Sequence, residues 1–107
     1  MSSRAFFEPI KVLGFGAISG AYASVGSAST HAIRAFCISN NTAGDMYFTI
    51  NTDEDQMFVA AGSFKLYDAQ ANKGPSDDRY VFSVGTQFSV KQITAPTSGS
   101  VYIELIY

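Results

Sequence analysis

From residue 32 to Tyr107, apolar side chains recur at every second position in short segments that end at Gly, Asn, Pro or Asp. No stretch of helical length carries apolar residues at i, i+3, i+4 and i+7 without an intervening Gly. Period two is the spacing of a strand with one face buried, so the chain is constrained to an all-β fold. The alternation predicts strands over 32–39, 45–51, 56–60, 63–69, 79–83, 86–93 and 100–107. The inward rows it predicts are Met46, Phe48 and Ile50; Phe64 and Leu66; Phe88 and Val90; and Val101, Ile103 and Leu105. Residues 40–44, 51–55, 61–62 and 95–99 carry hairpin chemistry, because Asn and Gly accept positive φ. The longer run 72–78 suits a loop that crosses between two sheets. Seven strands, or eight with one from 18–23, fit an antiparallel β-sandwich of jelly-roll type, since a single open sheet leaves one apolar face wet.

At 107 residues the chain is the size of one domain, and its 47% apolar content supplies a core without disulfides. Charged residues make up 15%, against about 25% in an average globular protein, so the surface is polar through Ser, Thr and Tyr. The seven basic residues, Arg4, Lys11, Arg34, Lys65, Lys73, Arg79 and Lys91, are scattered singly, and the net charge is −2. Such a surface offers no cationic stripe, which disfavours nucleic acid and anionic membrane as partners. Glu8, Pro9 and Lys11 interrupt the apolar run that a secretory signal needs, so the chain is expected to be soluble and made in the cytoplasm without an export signal.

Residues 1–30 differ from the β domain expected over 31–107. They mix small residues with Phe6, Phe7, Ile10, Leu13, Phe15 and Tyr22, a composition suited to an extended arm. That arm either adds one or two strands to its own domain or reaches a neighbouring subunit, and the six named residues are the candidate protein contacts.

Candidates for chemistry are sparse. His31 is the only histidine, which leaves no spare ligand for a His-rich zinc site and no choice of triad base. Cys37 has no partner within the chain and is either a buried strand thiol or a reactive one. The groups 53–55 and Asp77-Asp78 lack the spacing of an EF-hand loop and read as solvated turn tips, or as a weak cation or partner contact. Gly14-Phe15-Gly16 followed by Gly20 has the wrong spacing for a dinucleotide loop. No catalytic residue, cofactor or metal is expected. Tyr47 and Tyr102 fall opposite the core rows and are candidates for an outward face.

The segments Ile38-Ser-Asn-Asn-Thr, Phe48-Thr-Ile-Asn, Phe58-Val-Ala-Ala-Gly-Ser-Phe-Lys-Leu-Tyr-Asp, Gly85-Thr-Gln-Phe-Ser-Val-Lys-Gln and the final hairpin from Ala95 resemble small structural proteins of tailed bacteriophage particles. The resemblance covers 38–107 and is strongest in the final hairpin. It implies a capsid cement or decoration protein on the exterior of the head, a β-sandwich that bridges major capsid protein subunits and gathers as copies of itself. It carries over no individual residue. Two other readings stay open: a tail, adaptor or fibre-associated component, and a host-surface glycan-binding module using Tyr side chains with Asp53 or Asp55.

Overall fold

The computed structural model describes residues 6–52, 54–68 and 82–107. Eight strands form two antiparallel four-stranded sheets. They are β1 (Lys11–Gly14), β2 (Ala23–Ser24), β3 (Ala35–Thr42), β4 (Met46–Ile50), β5 (Met57–Val59), β6 (Ser63–Asp68), β7 (Phe88–Gln92) and β8 (Gly99–Ile106), with one 3-10 turn at Phe15–Ala17. The first sheet has the order β1-β8-β3-β6 and the second β2-β7-β4-β5.

This order has a simple origin. The chain is a long antiparallel ribbon whose tip is the β4-β5 hairpin, followed outward by the pairs β3-β6, β2-β7 and β1-β8. Rolling the ribbon lays β3 beside β8 and β4 beside β7, and those two ladders complete the sheets. The result is an eight-stranded jelly roll. The N-terminal segment supplies β1 to one sheet and β2 to the other, so both of its strands belong to the sandwich.

The core lies between the sheets. Phe36, Ile38, Val101, Ile103 and Leu105 from the first sheet meet Met46, Phe48, Val59, Phe88 and Val90 from the second, all with essentially no exposure. Phe36 is its centre, with ring centroids 5.0 Å from Phe88, 5.4 Å from Phe82 and 5.1 Å from Tyr67. Three of the inward rows expected from alternation are therefore core rows, with Ile50 packed at the margin.

The fourth row is reversed. Register with β3 sets Phe64 opposite Ser39 and Leu66 opposite Cys37, on the outer face, while Lys65 and Tyr67 share rows with the buried Ile38 and Phe36. Phe64 is 68% and Leu66 63% exposed. The local alternation is real but its phase is set by the neighbouring strand, and β6 is an edge strand paired on one side alone.

Strand β3 also runs further than the alternation predicts, through Asn40, Asn41 and Thr42, whose residue types suit a turn. A buried polar cluster explains this. The Asn40 amide donates to the carbonyls of Gly44 and Val59, both at 2.9 Å, and its oxygen accepts from the Thr42 N–H at 3.1 Å and hydroxyl at 2.7 Å. Every donor and acceptor of the side chain is used, so Asn40 can be buried within a strand. The expected loop 72–78 and Asp77-Asp78 lie outside the described residues, as do 79–81 of the strand expected over 79–83. Phe82 forms an isolated antiparallel bridge with Ile33.

Candidate functional site

The outer face of the β1-β8-β3-β6 sheet is built from side chains that alternate with the core rows. One lateral row runs Val12, Tyr102, Ser39, Phe64 across all four strands. The next holds Glu104, Cys37 and Leu66. Ile10 stands beside them, and Phe7 bridges to Ile106 at the end of the sheet. Phe7, Ile10, Val12, Phe64 and Leu66 are all largely exposed. At about 150–200 Å² per large side chain they present roughly 500 Å² of apolar surface, a size at which patches mark interaction sites.

The face has relief. Its two edge strands carry the bulky apolar groups, whereas the two central strands carry smaller or polar ones, so the middle is a shallow trough of about 390 Å³. Ile10 and Phe64 form opposite banks, and Ser39, Tyr102 and Glu104 line the floor. Glu104 is exposed and is the one charged residue lining the trough. It makes no ion pair among the described residues. Cys37 is half-buried beside it, and burial, offset in part by Ser39 and reinforced by the Glu104 carboxylate, raises the thiol pKa. The thiol is therefore neutral at physiological pH and lies on the outer face rather than in the core.

Of the six arm residues singled out from the sequence, Phe7 and Ile10 belong to this face. Phe6 stacks on Tyr107 at 5.7 Å while remaining half exposed, and Phe15 is exposed in the 3-10 turn. Leu13 points inward and packs against the core. Tyr22 sits at the other sheet, where its hydroxyl donates to the Asp55 carboxylate at 2.6 Å. The alternation places Phe64 and Leu66 inward and gives no sign of Val12 and Glu104 as members of this face. The sequence holds one indirect signal for Phe64 and Leu66, the lysine between them, since Lys is a recurrent guard on sheet edges.

The arm is fastened by a charged latch. Phe6 and Tyr107 exchange both main-chain hydrogen bonds, and the Glu8 N–H donates to the Leu105 carbonyl. Between the pairs Phe7 with Ile106 and Lys11 with Ile103 the arm uses one residue more than β8, a bulge at 8–10 that accommodates Pro9. The bulge turns Glu8 and Lys11 both inward. Glu8 Oε2 then accepts from the Thr30 N–H at 3.1 Å and from the His31 N–H and Nδ1 at 3.0 Å, with Lys11 Nζ 3.9 Å from Oε1. A carboxylate accepts only, so Nδ1 carries the ring proton. The His31 ring lies flat on Tyr107, centroids 3.5 Å apart. His31 is thus part of a structural latch joining the arm, the 29–31 segment and the end of β8.

The outer face of the β2-β7-β4-β5 sheet differs in character. Lys91 pairs with Asp55 at 2.9 Å and lies over the rings of Tyr22 and Tyr47, at 5.0 and 5.6 Å. Tyr47 in turn meets Phe58 edge-on. The Tyr22 hydroxyl and then the Lys91 ammonium hold the Asp55 carboxyl below the usual carboxylate range. Asp55 is therefore engaged within the chain, and Asp53 lies outside the described residues. Among the described residues no group of three or more His, Cys, Asp or Glu side chains comes together to hold a metal ion, and no helix is long and apolar enough to cross a membrane. Compared with known proteins, the chain matches no family model and no curated protein.

Proposed function

We propose that this chain is a structural subunit of a tailed-phage particle, a cement or decoration protein that docks on the outside of the head through the outer face of its β1-β8-β3-β6 sheet and works without catalysis. The observation that carries the reading is the reversed edge strand. In β6 the apolar residues Phe64 and Leu66 face outward while Lys65 shares an inner row with Ile38. Lys65 and Tyr67 are exposed even on the inner side, so β6 buries little within the chain in either phase, whereas a partner laid on the outer side would cover Phe64 and Leu66.

The other features fit. Two unlike faces suit a subunit that lies on a shell: an apolar one turned to the major capsid protein, and a more polar one, built on Tyr22, Tyr47, Asp55 and Lys91 with Phe58 beside Tyr47, turned to water. Low charge suits lateral crowding on a lattice. Many modest contacts, repeated by the symmetry of the shell, would resist internal pressure by avidity where one contact could not.

The test is copy number. Quantitative mass spectrometry of particles purified from the source virus should give a ratio to the major capsid protein near one, or a simple fraction of one fixed by shell symmetry. A few copies per particle would move the same docking face to the tail or its connector, and absence from particles would overturn the virion reading.

A further inference from the structure

Resting on the docking reading, we propose that the trough on the outer face of the β1-β8-β3-β6 sheet receives an arginine side chain from an apolar segment of the partner protein, with Glu104 as its counter-ion. The argument is one of charge complementarity. Docking the face buries whatever lies on its floor, and the floor contains one charged residue, the exposed Glu104, which pairs with no cation among the described residues. A carboxylate buried without a partner opposes association strongly, so the covering surface must bring a positive charge to it.

The surroundings select the kind of cation. Tyr102 lies two residues from Glu104 on the same strand and face, roughly 7 Å along it. Both line the trough, with Phe64 and Ile10 as its banks. A planar guanidinium can lie against an aromatic face while two of its N–H groups reach a carboxylate, a combination that a compact ammonium does not match. The hydroxyl of Ser39, on the same lateral row as Tyr102, adds an acceptor on the floor. The banks are apolar, so the residues flanking the arginine should be apolar too.

A second copy of the chain does not meet these requirements. A copy docked face to face, about a two-fold axis lying in the plane of contact, brings the same lining, whose one charged residue is again Glu104, and so supplies no cation. The face is thus built for a different surface.

The experiment is a titration of the full chain, followed residue by residue by NMR, with the blocked pentapeptide Leu-Val-Arg-Val-Leu and its uncharged citrulline counterpart. The proposal expects shifts at Ile10, Ser39, Phe64, Tyr102 and Glu104, and binding about tenfold weaker for the citrulline peptide. Glu104→Gln, an exposed substitution, should remove that difference. Equal affinity for the two peptides, shifts elsewhere, or no effect of Glu104→Gln would overturn the assignment. So would a dimer of the free chain that the double variant Phe64→Ser, Leu66→Ser dissolves, since that would give the face to a second copy. Co-sedimentation of the double variant with particle heads separates the two claims. If particle binding is lost in that variant while the peptides bind equally, the arginine assignment alone fails; if particle binding survives, the docking face fails and the assignment with it.

Discussion

Asn40 and Glu8 show how single polar residues fix the frame that carries the outer face. Asn40 is buried with all four of its hydrogen-bonding positions filled, tying β3 to the Gly44 turn and to β5. Replacing it with Ala removes a donor from the Gly44 and Val59 carbonyls, of which Gly44 keeps the Thr42 hydroxyl, and takes the acceptor from the Thr42 N–H, so Asn40→Ala should lower stability by about 2–3 kcal/mol, read from urea unfolding. Gly99 has φ +88°, and an added Cβ would run into the Asn41 carbonyl, so Gly99→Ala should also destabilise the β3-β8 ladder. At Glu8, burial pushes the carboxyl pKa up, but the His31 ring, the Thr30 and His31 N–H groups and Lys11 together more than offset it, and the folded pKa is lowered from 4.5. A lowered folded value means that the unfolded chain takes up its proton first as pH falls. The stabilisation is therefore complete above 4.5 and is lost as pH drops through the folded value. Glu8→Gln should cost about 2 kcal/mol at neutral pH, with the gap to the native protein closing in acid. A gap that stays constant from pH 7 to pH 3 would contradict the latch.

Strand β6 is where the elements bear most directly on function. Phe64 and Leu66 make no contribution to the core, so Phe64→Ser with Leu66→Ser should change unfolding stability by no more than about 0.5 kcal/mol, as for other exposed positions. A loss of several kcal/mol would mean that the two side chains pack within the chain after all. The same strand marks the limit of what the sequence makes legible. Central strands β4, β7 and β8 carry apolar rows that must face the core, and alternation identifies Met46, Phe48, Phe88, Val90, Val101, Ile103 and Leu105 without help. In β6 the pattern Ser-Phe-Lys-Leu-Tyr-Asp alternates equally well, but its phase comes from pairing with β3, a long-range relation that no local pattern encodes. The extension of β3 through Asn40 was hidden for a similar reason. Asn is a turn residue until a buried set of partners from distant elements satisfies it. Of the outer face, the arm residues Phe7 and Ile10 were legible as apolar groups in an otherwise small-residue segment. The groove between β1 and β6 was not, because it exists only once the ribbon is rolled.

Across the whole molecule, the jelly roll places an apolar, grooved face on one side of the core and a polar, internally paired face on the other. The two are separated by roughly one sheet-to-sheet distance of ~10 Å plus side chains, so a partner held by the first leaves the second open to solvent. Residues on the Lys91 side should therefore tolerate change without loss of docking. Lys91→Ala, which removes the contacts to Asp55, Tyr22 and Tyr47, should reduce stability slightly and leave particle binding intact, measured on the same preparation as the face variants. Binding lost in Lys91→Ala with the fold preserved would point to the opposite face. The most direct test of the docking face is co-sedimentation of the Phe64→Ser, Leu66→Ser variant with particle heads, set against the native chain and accompanied by its urea midpoint. We predict a midpoint close to the native value together with loss of binding. Native-like binding by the folded variant would contradict the account.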